Sequence, residues 1–348
     1  MRAITILPGI ANSAKLQNVP EPSISDGAIL VDTLALGVCG TDHEIVAGHY
    51  GEAPEGHERL ILGHESLGRV RQAPEDSGFA AGEHLVGIVR HPDPVPCPAC
   101  ANGEWDMCRN GLYTEHGIKK RNGFGAERFR IDSTFAVKVD PALGILGVLL
   151  EPTSVVAKAW DHCGRVWRLK SAPSRKLLVT GAGPIGLLGA LLGVQRGFEV
   201  HVYDHNTAGP KPDLTRALGA TYHSGDLGEL AALAPDIVME CTGVPDVIAA
   251  LLSHVAPGSI ICLTGVGLPA RREFDIGEFN RTMVLNNGTV FGTVNANRQH
   301  YAAAADALAR ADRGWLARLI TRRVPLADFA DALRKQKGDI KVVIEFSQ

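Results

Sequence analysis

The chain predicts an α/β fold in two parts, a β-rich first half and a second half that winds helices over both faces of a parallel sheet. Three observations predict it. From about Arg175 onward, strands and helices alternate, as in a doubly wound sheet. Residues 177–204, LLVTGAGPIGLLGALLGVQRGFEVHVYD, read as strand, glycine turn, helix, strand and acid. Residues 1–90 alternate short β-like runs with Gly and Pro punctuation.

With 348 residues the chain can bury two separate cores. Hydrophobic content of 45% and charged content of 21% are those of an ordinary globular protein. A formal charge of −3 argues against nucleic acid or an anionic membrane as partner. No uninterrupted apolar run reaches the ~18 residues of a membrane span. The opening MRAITILPGIANSAKLQ is broken by Pro8 and reads as a first strand, not a signal peptide, so a cytoplasmic location is expected.

In order, 29–35, 68–71 and 85–89 read as strands of the first half. Periodicity vanishes over 92–125, which predicts a long loop pinned by something other than secondary structure. Residues 151–160 open a helix. Strands follow at 177–179, 199–203, 236–240, 259–265 and 290–294, with a helix at 245–254. Residues 300–319 read as one Ala/Leu-rich helix and 341–346 as a closing strand.

The turn Gly181-Ala182-Gly183-Pro184-Ile185-Gly186 sits between strand and helix, the context in which such glycines bind a dinucleotide. Gly181 permits the tight turn, Gly183 lets backbone approach a pyrophosphate, and Gly186 lets the helix pack close to the strand. The helix N-terminus offers N–H donors to the phosphates. Asp204, about 20 residues on, stands where a carboxylate accepts ribose hydroxyls. Ligands are expected beyond the carboxyl ends of the strands, in a cleft facing the first domain. A glycine-rich turn without ligand is the plainer alternative.

Seven cysteines are unevenly spread. Cys97, Cys100 and Cys108 crowd together, a C-x-x-C with a third Cys that suits zinc but needs a fourth ligand from Asp93, His91 or Asp106. A reduced, metal-free loop is the alternative. Cys39, His64 in Gly63-His64-Glu65, and Glu151 are of types zinc accepts with an open fourth position. Singly they read equally as a core cysteine, a satisfied histidine and a helix start. Asp42 either orients His64 or caps a helix. Cys163, Cys241 and Cys262 read as packing residues.

Cys39-Gly40-Thr41-Asp42, Gly63-His64-Glu65, the loop cysteines and the glycine turn occur in an order that resembles the zinc-dependent medium-chain dehydrogenases over nearly the whole chain. Residues 97–100, 104–111, 113–115, Glu151-Pro152 and 294–298 resemble the glucose 1-dehydrogenase branch more narrowly. The resemblance implies a GroES-like catalytic domain (1–152 and 297–348) and a Rossmann domain (153–296). It implies catalytic zinc at Cys39, His64 and Glu151, with Glu65 able to exchange on and off the metal. A second, structural zinc would sit at Cys97, Cys100 and Cys108, with Asp93 replacing the cysteine whose position Pro94 holds. Thr41 would link substrate to a proton relay ending at Glu44 or His43. Glu115, Glu151 and Asn295 would contact sugar. Thr264, Gly265, Val266, Thr293, Val294 and Asn295 would line the cofactor beyond the glycine turn.

The implied reaction is oxidation of an aldose at C1 to the lactone, with hydride passing to a nicotinamide cofactor. A sorbitol- or threonine-type zinc dehydrogenase is the alternative, followed by a non-catalytic nucleotide-binding relative. Asp204, with uncharged His205 and Asn206 after it, favours NAD, and Lys211 leaves NADP open. The resemblance further implies a homodimer or homotetramer, joined through edge strands near 259–294.

Overall fold

A computed structural model describes residues 1–167, 174–267 and 270–346. It divides into two compact units, Met1–Ser154 with Asn295–Gln348, and Val155–Val294.

The first unit is built on a seven-stranded sheet whose backbone order is Ala136–Val139, His84–Gly87, Glu65–Gln72, Ile29–Val38, Lys341–Glu345 and Ile320–Pro325, with Arg128–Ile131 also paired to Ile29–Val38. Ile29–Val38 is its hub. It runs antiparallel to Glu65–Gln72, with Gly37 opposite Glu65, and to Lys341–Glu345, with Val38 opposite Val342. Alternate apolar residues of these strands (Ile29, Val31, Val70, Leu85, Ile131, Val342, Ile344) form one buried core.

The 92–125 stretch holds only short pieces, among them the helix Pro98–Ala101, the 3-10 turn Trp105–Met107 and the strands Thr114–His116 and Lys120–Arg121. The expected single helix over 300–319 is two, Arg298–Ala309 and Arg313–Leu319. Asp312 restarts the chain as an N-cap, its side chain accepting the Trp315 N–H at 2.6 Å. Apolar periodicity continues through this break, so it concealed the cap.

In the second unit six strands lie parallel in the order Thr221–His223, Glu199–Tyr203, Lys176–Thr180, Ile237–Glu240, Ile260–Leu263 and Thr289–Gly292. The chain starts mid-sheet, winds outward one way, then returns to wind the other, which makes a switch point beside Lys176–Thr180. The helix Pro184–Gln195 buries Gly186 through Gly193 against it.

One stretch, Pro141–Trp167, is long and apolar enough to cross a membrane by length and composition, which counting uninterrupted apolar residues missed because Glu151 and Lys158 interrupt it. Its most apolar window is 78% buried within the fold, as for a core helix.

Two buried imidazoles brace the first unit. His116 Nδ1–H donates to the Asn122 carbonyl at 2.6 Å, so its Nε2 accepts from His91 Nε2–H at 3.1 Å. Burial pushes the His116 pKa down to about 3. The folded state therefore disfavours a proton that the unfolded chain takes up. Its stabilisation is complete above pH 6.5 and is lost as pH falls toward 3. Between pH 7 and 4, urea unfolding of His116→Phe should lose about 3 kcal/mol less than the parent. Equal losses in the two proteins would refute this.

Candidate metal and cofactor sites

Cys39 follows the hub strand and serves as N-cap of the helix Gly40–Val46. Its N–H donates to Asp42 Oδ2 at 2.9 Å, while Asp42 Oδ1 lies 3.5 Å from His64 Nδ1. Asp42 therefore both caps the helix and faces the imidazole. Gly63, at φ +96°, turns the chain so that His64 and Glu65 point inward, and a Cβ there would strike Leu36. The result is convergence: Cys39 Sγ lies 2.9 Å from His64 Nε2, and the donor atoms of Cys39, His64 and Glu65 all lie within 4.8 Å of one another.

Glu65 carries a partner that sequence reading missed. Lys341 Nζ, fully buried, donates to Glu65 Oε1 at 2.7 Å, to Oε2 at 2.5 Å and to the Val38 carbonyl at 3.2 Å. The signal was present as a lysine opening an otherwise apolar strand, Lys341-Val342-Val343-Ile344.

Glu151 is buried in the first turn of Leu150–Trp167 and stands outside the group of three converging donors. Burial, then the charge of Glu65, pushes its pKa up to about 8. Burial likewise raises the Cys39 thiol. Burial opposes the His64 imidazolium, yet Cys39 and Asp42 hold its pKa well above the ordinary value. Cys39, Asp42, Glu65 and Glu151 set four acidic groups in one buried place against His64 and Lys341. Thiolate, imidazole and carboxylate with that excess of negative charge fit Zn²⁺.

Thr41 lies half-buried in the first turn of Gly40–Val46. His43 Nδ1–H donates to the Leu333 carbonyl at 3.1 Å, whereas Glu44 Oε2 meets exposed His49 Nδ1 at 2.9 Å. Glu115 is buried, and three donors converge on its Oε1: Arg90 Nε and Nη2, each at 3.0 Å, and Asn295 Nδ2 at 2.7 Å. Tyr113 stacks beneath Arg90.

Cys97, Cys100 and Cys108 also bring their sulfurs within 4.8 Å of one another. The Arg109 N–H donates to Cys97 Sγ at 3.4 Å. Of the fourth-ligand candidates, His91 is committed to His116 and stacks on Phe135, and Asp106 accepts Asn297 Nδ2 at 3.0 Å. Asp93 Oδ1 accepts the Val95 N–H, while its buried Oδ2 has no hydrogen-bond partner among the described residues. Asp93 is not among the converging ligand atoms, although its backbone N–H reaches the Cys100 sulfur.

In the second unit, Gly181 at φ +92° donates its N–H to Tyr203 O at 2.7 Å, and a Cβ at Gly186 would overlap the Gly181 carbonyl oxygen. Gly183 caps Pro184–Gln195, and a Cβ on it would enter open space, the room a pyrophosphate needs. Ala182 lies buried within this turn, whereas Pro184 and Ile185 open the helix half-buried. Thr293 Oγ1 is buried without a hydrogen-bond partner among the described residues, and Val266 and Val294 are exposed. Thr264 Oγ1 donates to Glu240 O at 2.7 Å, and Lys158 Nζ to Val294 O at 2.9 Å. The Gly265 N–H also donates to Glu240 O, at 2.9 Å. These features fit a dinucleotide.

Asp204 is held by hydrogen bonds within the second unit. Its carboxylate accepts from Ala182 N and Lys211 Nζ on Oδ2, both at 2.8 Å, and from Asn206 N and Nδ2 on Oδ1, at 3.0 and 2.5 Å. Burial would raise its pKa, but Lys211 and Asn206 outweigh that and hold it at about 2. His205 is exposed, 3.5 Å from Asp204 Oδ1.

A doubly wound nucleotide unit together with a sheet unit holding Cys39, His64 and a buried carboxylate set defines the class, the zinc-type medium-chain dehydrogenases. The glucose dehydrogenase C-terminus family model matches residues 144–346, and the alcohol dehydrogenase GroES-like domain model matches 25–141. The chain is 37% identical to glucose 1-dehydrogenase 2 of Vulcanisaeta moutnovskia over all of both chains. It is 35% identical to glucose 1-dehydrogenase of Methanocella arvoryzae over 99% of each. Haloferax mediterranei glucose dehydrogenase in complex with NADP, Zn and gluconolactone superposes with a TM-score of 0.92 at 31% identity, covering 100% of both chains. The chain belongs to the glucose dehydrogenase family of zinc-dependent, NAD(P)-dependent dehydrogenases.

The two donor groups lead to a metal count. Purified protein should carry two zinc ions per chain by mass spectrometry, and Cys39→Ser should retain one while losing turnover. Full activity of Cys39→Ser without its zinc would contradict this assignment.

Proposed function

We propose that this enzyme oxidises an aldose, glucose or a close relative, at C1 to the lactone, with hydride passing to C4 of NAD(P). The observation that carries the reading is the buried convergence of Cys39 Sγ, His64 Nε2 and the Glu65 carboxylate in a chain of this family. The Haloferax relative solved with zinc, NADP and gluconolactone supports it.

Cys39, His64 and Glu151 would hold the catalytic ion, with the Glu65 carboxylate kept beside it on Lys341. A bound zinc supplies Lewis acidity that lowers the pKa of the sugar hydroxyl toward neutrality. Thr41 relays the hydroxyl proton, accepting it as its own O–H proton passes on to a terminal base, Glu44 or His43; Glu44 Oε2 meets His49 Nδ1, and with its Nδ1–H donated to the Leu333 carbonyl, His43 has Nε2 as its basic nitrogen. Asp42 holds the His64 ring through its Nδ1 side. Glu115, fixed by Arg90, and Asn295 hold sugar hydroxyls, together with Glu151. This polar set suits a polyhydroxylated substrate better than an aliphatic alcohol. Cys97, Cys100 and Cys108 would hold a structural ion, and Asp93 Oδ2, buried and without a hydrogen-bond partner among the described residues, would be its fourth ligand.

Gly181, Ala182, Gly183, Pro184, Ile185 and Gly186 cradle the pyrophosphate, and the adenosine ribose lies by Asp204, His205 and Asn206. Thr264, Gly265, Val266, Thr293 and Val294 flank the nicotinamide. The pinned state of Asp204 supports use of both NAD and NADP in place of a preference for NAD. For assembly, Thr289–Gly292 ends the six-stranded sheet, and Ile276, Val284 and Leu285 stand exposed on the preceding helix. These support a homodimer through that edge.

In a substrate panel followed by reduced-cofactor absorbance, an aldose should exceed sorbitol and threonine in kcat/KM by about tenfold or more. NMR should identify a lactone as first product, and a preference for sorbitol or threonine would replace this reading. Light scattering should give at least twice the 37.0 kDa chain mass. Val284→Lys should lower it, and a monomeric parent protein would end the assembly proposal.

A further inference from the structure

We propose that Glu240 is a positioning residue, whose buried carboxylate fastens two glycine turns together as a wall for the nicotinamide half of the cofactor. This deepens the functional reading above and rests on its clause that Thr264, Gly265 and Val266 flank the nicotinamide. Glu240 ends the strand Ile237–Glu240, which lies between Lys176–Thr180 and Ile260–Leu263 in the parallel sheet, and is fully enclosed. The proposed reaction gives this carboxylate no part. A buried carboxylate is costly unless donors meet it, so the donors show what it holds.

Those donors are neutral groups beside the strand end. Oε1 accepts the Thr242 N–H at 2.6 Å, the Thr242 hydroxyl, and the Thr180 hydroxyl at 3.4 Å. The Gly243 N–H is shared between Oε1 and Oε2, at 3.2 and 3.1 Å. The side chain thereby fixes the turn that follows its own strand. Its main-chain carbonyl fixes the turn after the neighbouring strand, accepting the Thr264 N–H at 2.8 Å, Thr264 Oγ1–H at 2.7 Å and the Gly265 N–H at 2.9 Å.

Glycines then bring the two turns into contact. Gly243 has φ +65°, and a Cβ on it would lie 2.6 Å from Gly267 N and 2.7 Å from the Val266 carbonyl carbon. A Cβ on Gly265 would overlap Gly243 N and lie 2.7 Å from Glu240 Oε2. The two backbones touch with no room for a side chain between them, and Val266 beside that contact is exposed. Both turns stand at the carboxyl ends of parallel strands, where a doubly wound sheet takes its ligand.

Glu240→Gln preserves the shape of the side chain but keeps one acceptor oxygen and turns an NH2 group toward N–H groups of Thr242 and Gly243 that can only donate. The turns then shift, and a wall that must be rebuilt on binding costs affinity. The functional reading assigns the adenosine half to other residues, 181–186 and 204–206, so the loss falls on the nicotinamide half.

Isothermal titration calorimetry would compare the reduced cofactor (NADH or NADPH, whichever the parent binds tighter) with 5′-ADP, which carries no nicotinamide. The proteins are the parent, Glu240→Gln and Gly265→Ala, the last of which drives a methyl into the same contact without removing the carboxylate. Both variants should weaken the reduced cofactor by about tenfold or more and 5′-ADP by less than about threefold. Kinetics should show the same split, with KM for the cofactor raised about tenfold and KM for the sugar changed less than about threefold. Equal weakening of both ligands, or an unchanged affinity of Glu240→Gln for the reduced cofactor, overturns the proposal. If Glu240→Gln does not fold, Gly265→Ala decides by the same criteria. If the parent binds 5′-ADP but no reduced cofactor, the nicotinamide wall is misplaced and the proposal falls with it. If the ligands behave as expected and no aldose is oxidised, the substrate reading fails and Glu240 stands.

Discussion

The first unit depends on one buried ion pair, Lys341 Nζ with the Glu65 carboxylate. It joins a strand near the end of the chain to a residue 276 positions earlier, across the hub strand Ile29–Val38. Both partners are almost fully enclosed, so each charge is tolerable only because the other is there. Removing one partner of such a pair typically costs about 3–5 kcal/mol, because the survivor is left buried and uncompensated. Gly37 shows how tightly the pair is fitted: a Cβ there would occupy the space of the Glu65 carboxylate oxygen. Burial opposes the Lys341 charge, yet Glu65 and Cys39 raise its pKa overall.

That pair also governs how the acidic groups divide their work. Lys341 takes both oxygens of Glu65, which leaves Glu151 as the carboxylate whose charge is poorly compensated and whose proton affinity is high. Two glutamates in one buried place thereby acquire different characters from their surroundings. Asp204 in the second unit shows the same principle with the opposite sign, because four donors stabilise its anion. Its bond to Ala182 N–H ties that anion to the backbone of the glycine turn.

The glycine turn was legible in advance because each of its requirements is local. A positive φ at Gly181, close packing at Gly186 and open space at Gly183 follow from the strand-turn-helix context alone. Cys39, His64 and the loop cysteines were legible as donor types at suggestive spacing. The two-helix break at 310–312 was not, because an N-cap is a single side-chain contact that apolar periodicity hides. Lys341, Arg90 and Lys158 were passed over because a charged residue read in isolation defaults to the surface. Each is instead a buried cation whose acceptors lie 16 to 303 residues away in sequence.

From the amino-acid order alone come the alternating second half, the place of the nucleotide turn and the inventory of zinc-type ligands, since these rest on periodicity and on short-range stereochemistry. Only the folded chain decides which carboxylate stands free, which histidine is spoken for and whether Asp204 has a lone pair to give. Those outcomes depend on distances between residues far apart in the chain. Hydrogen-bond capacity and electrostatic balance are properties of a neighbourhood, and the neighbourhood exists only after the strands have paired.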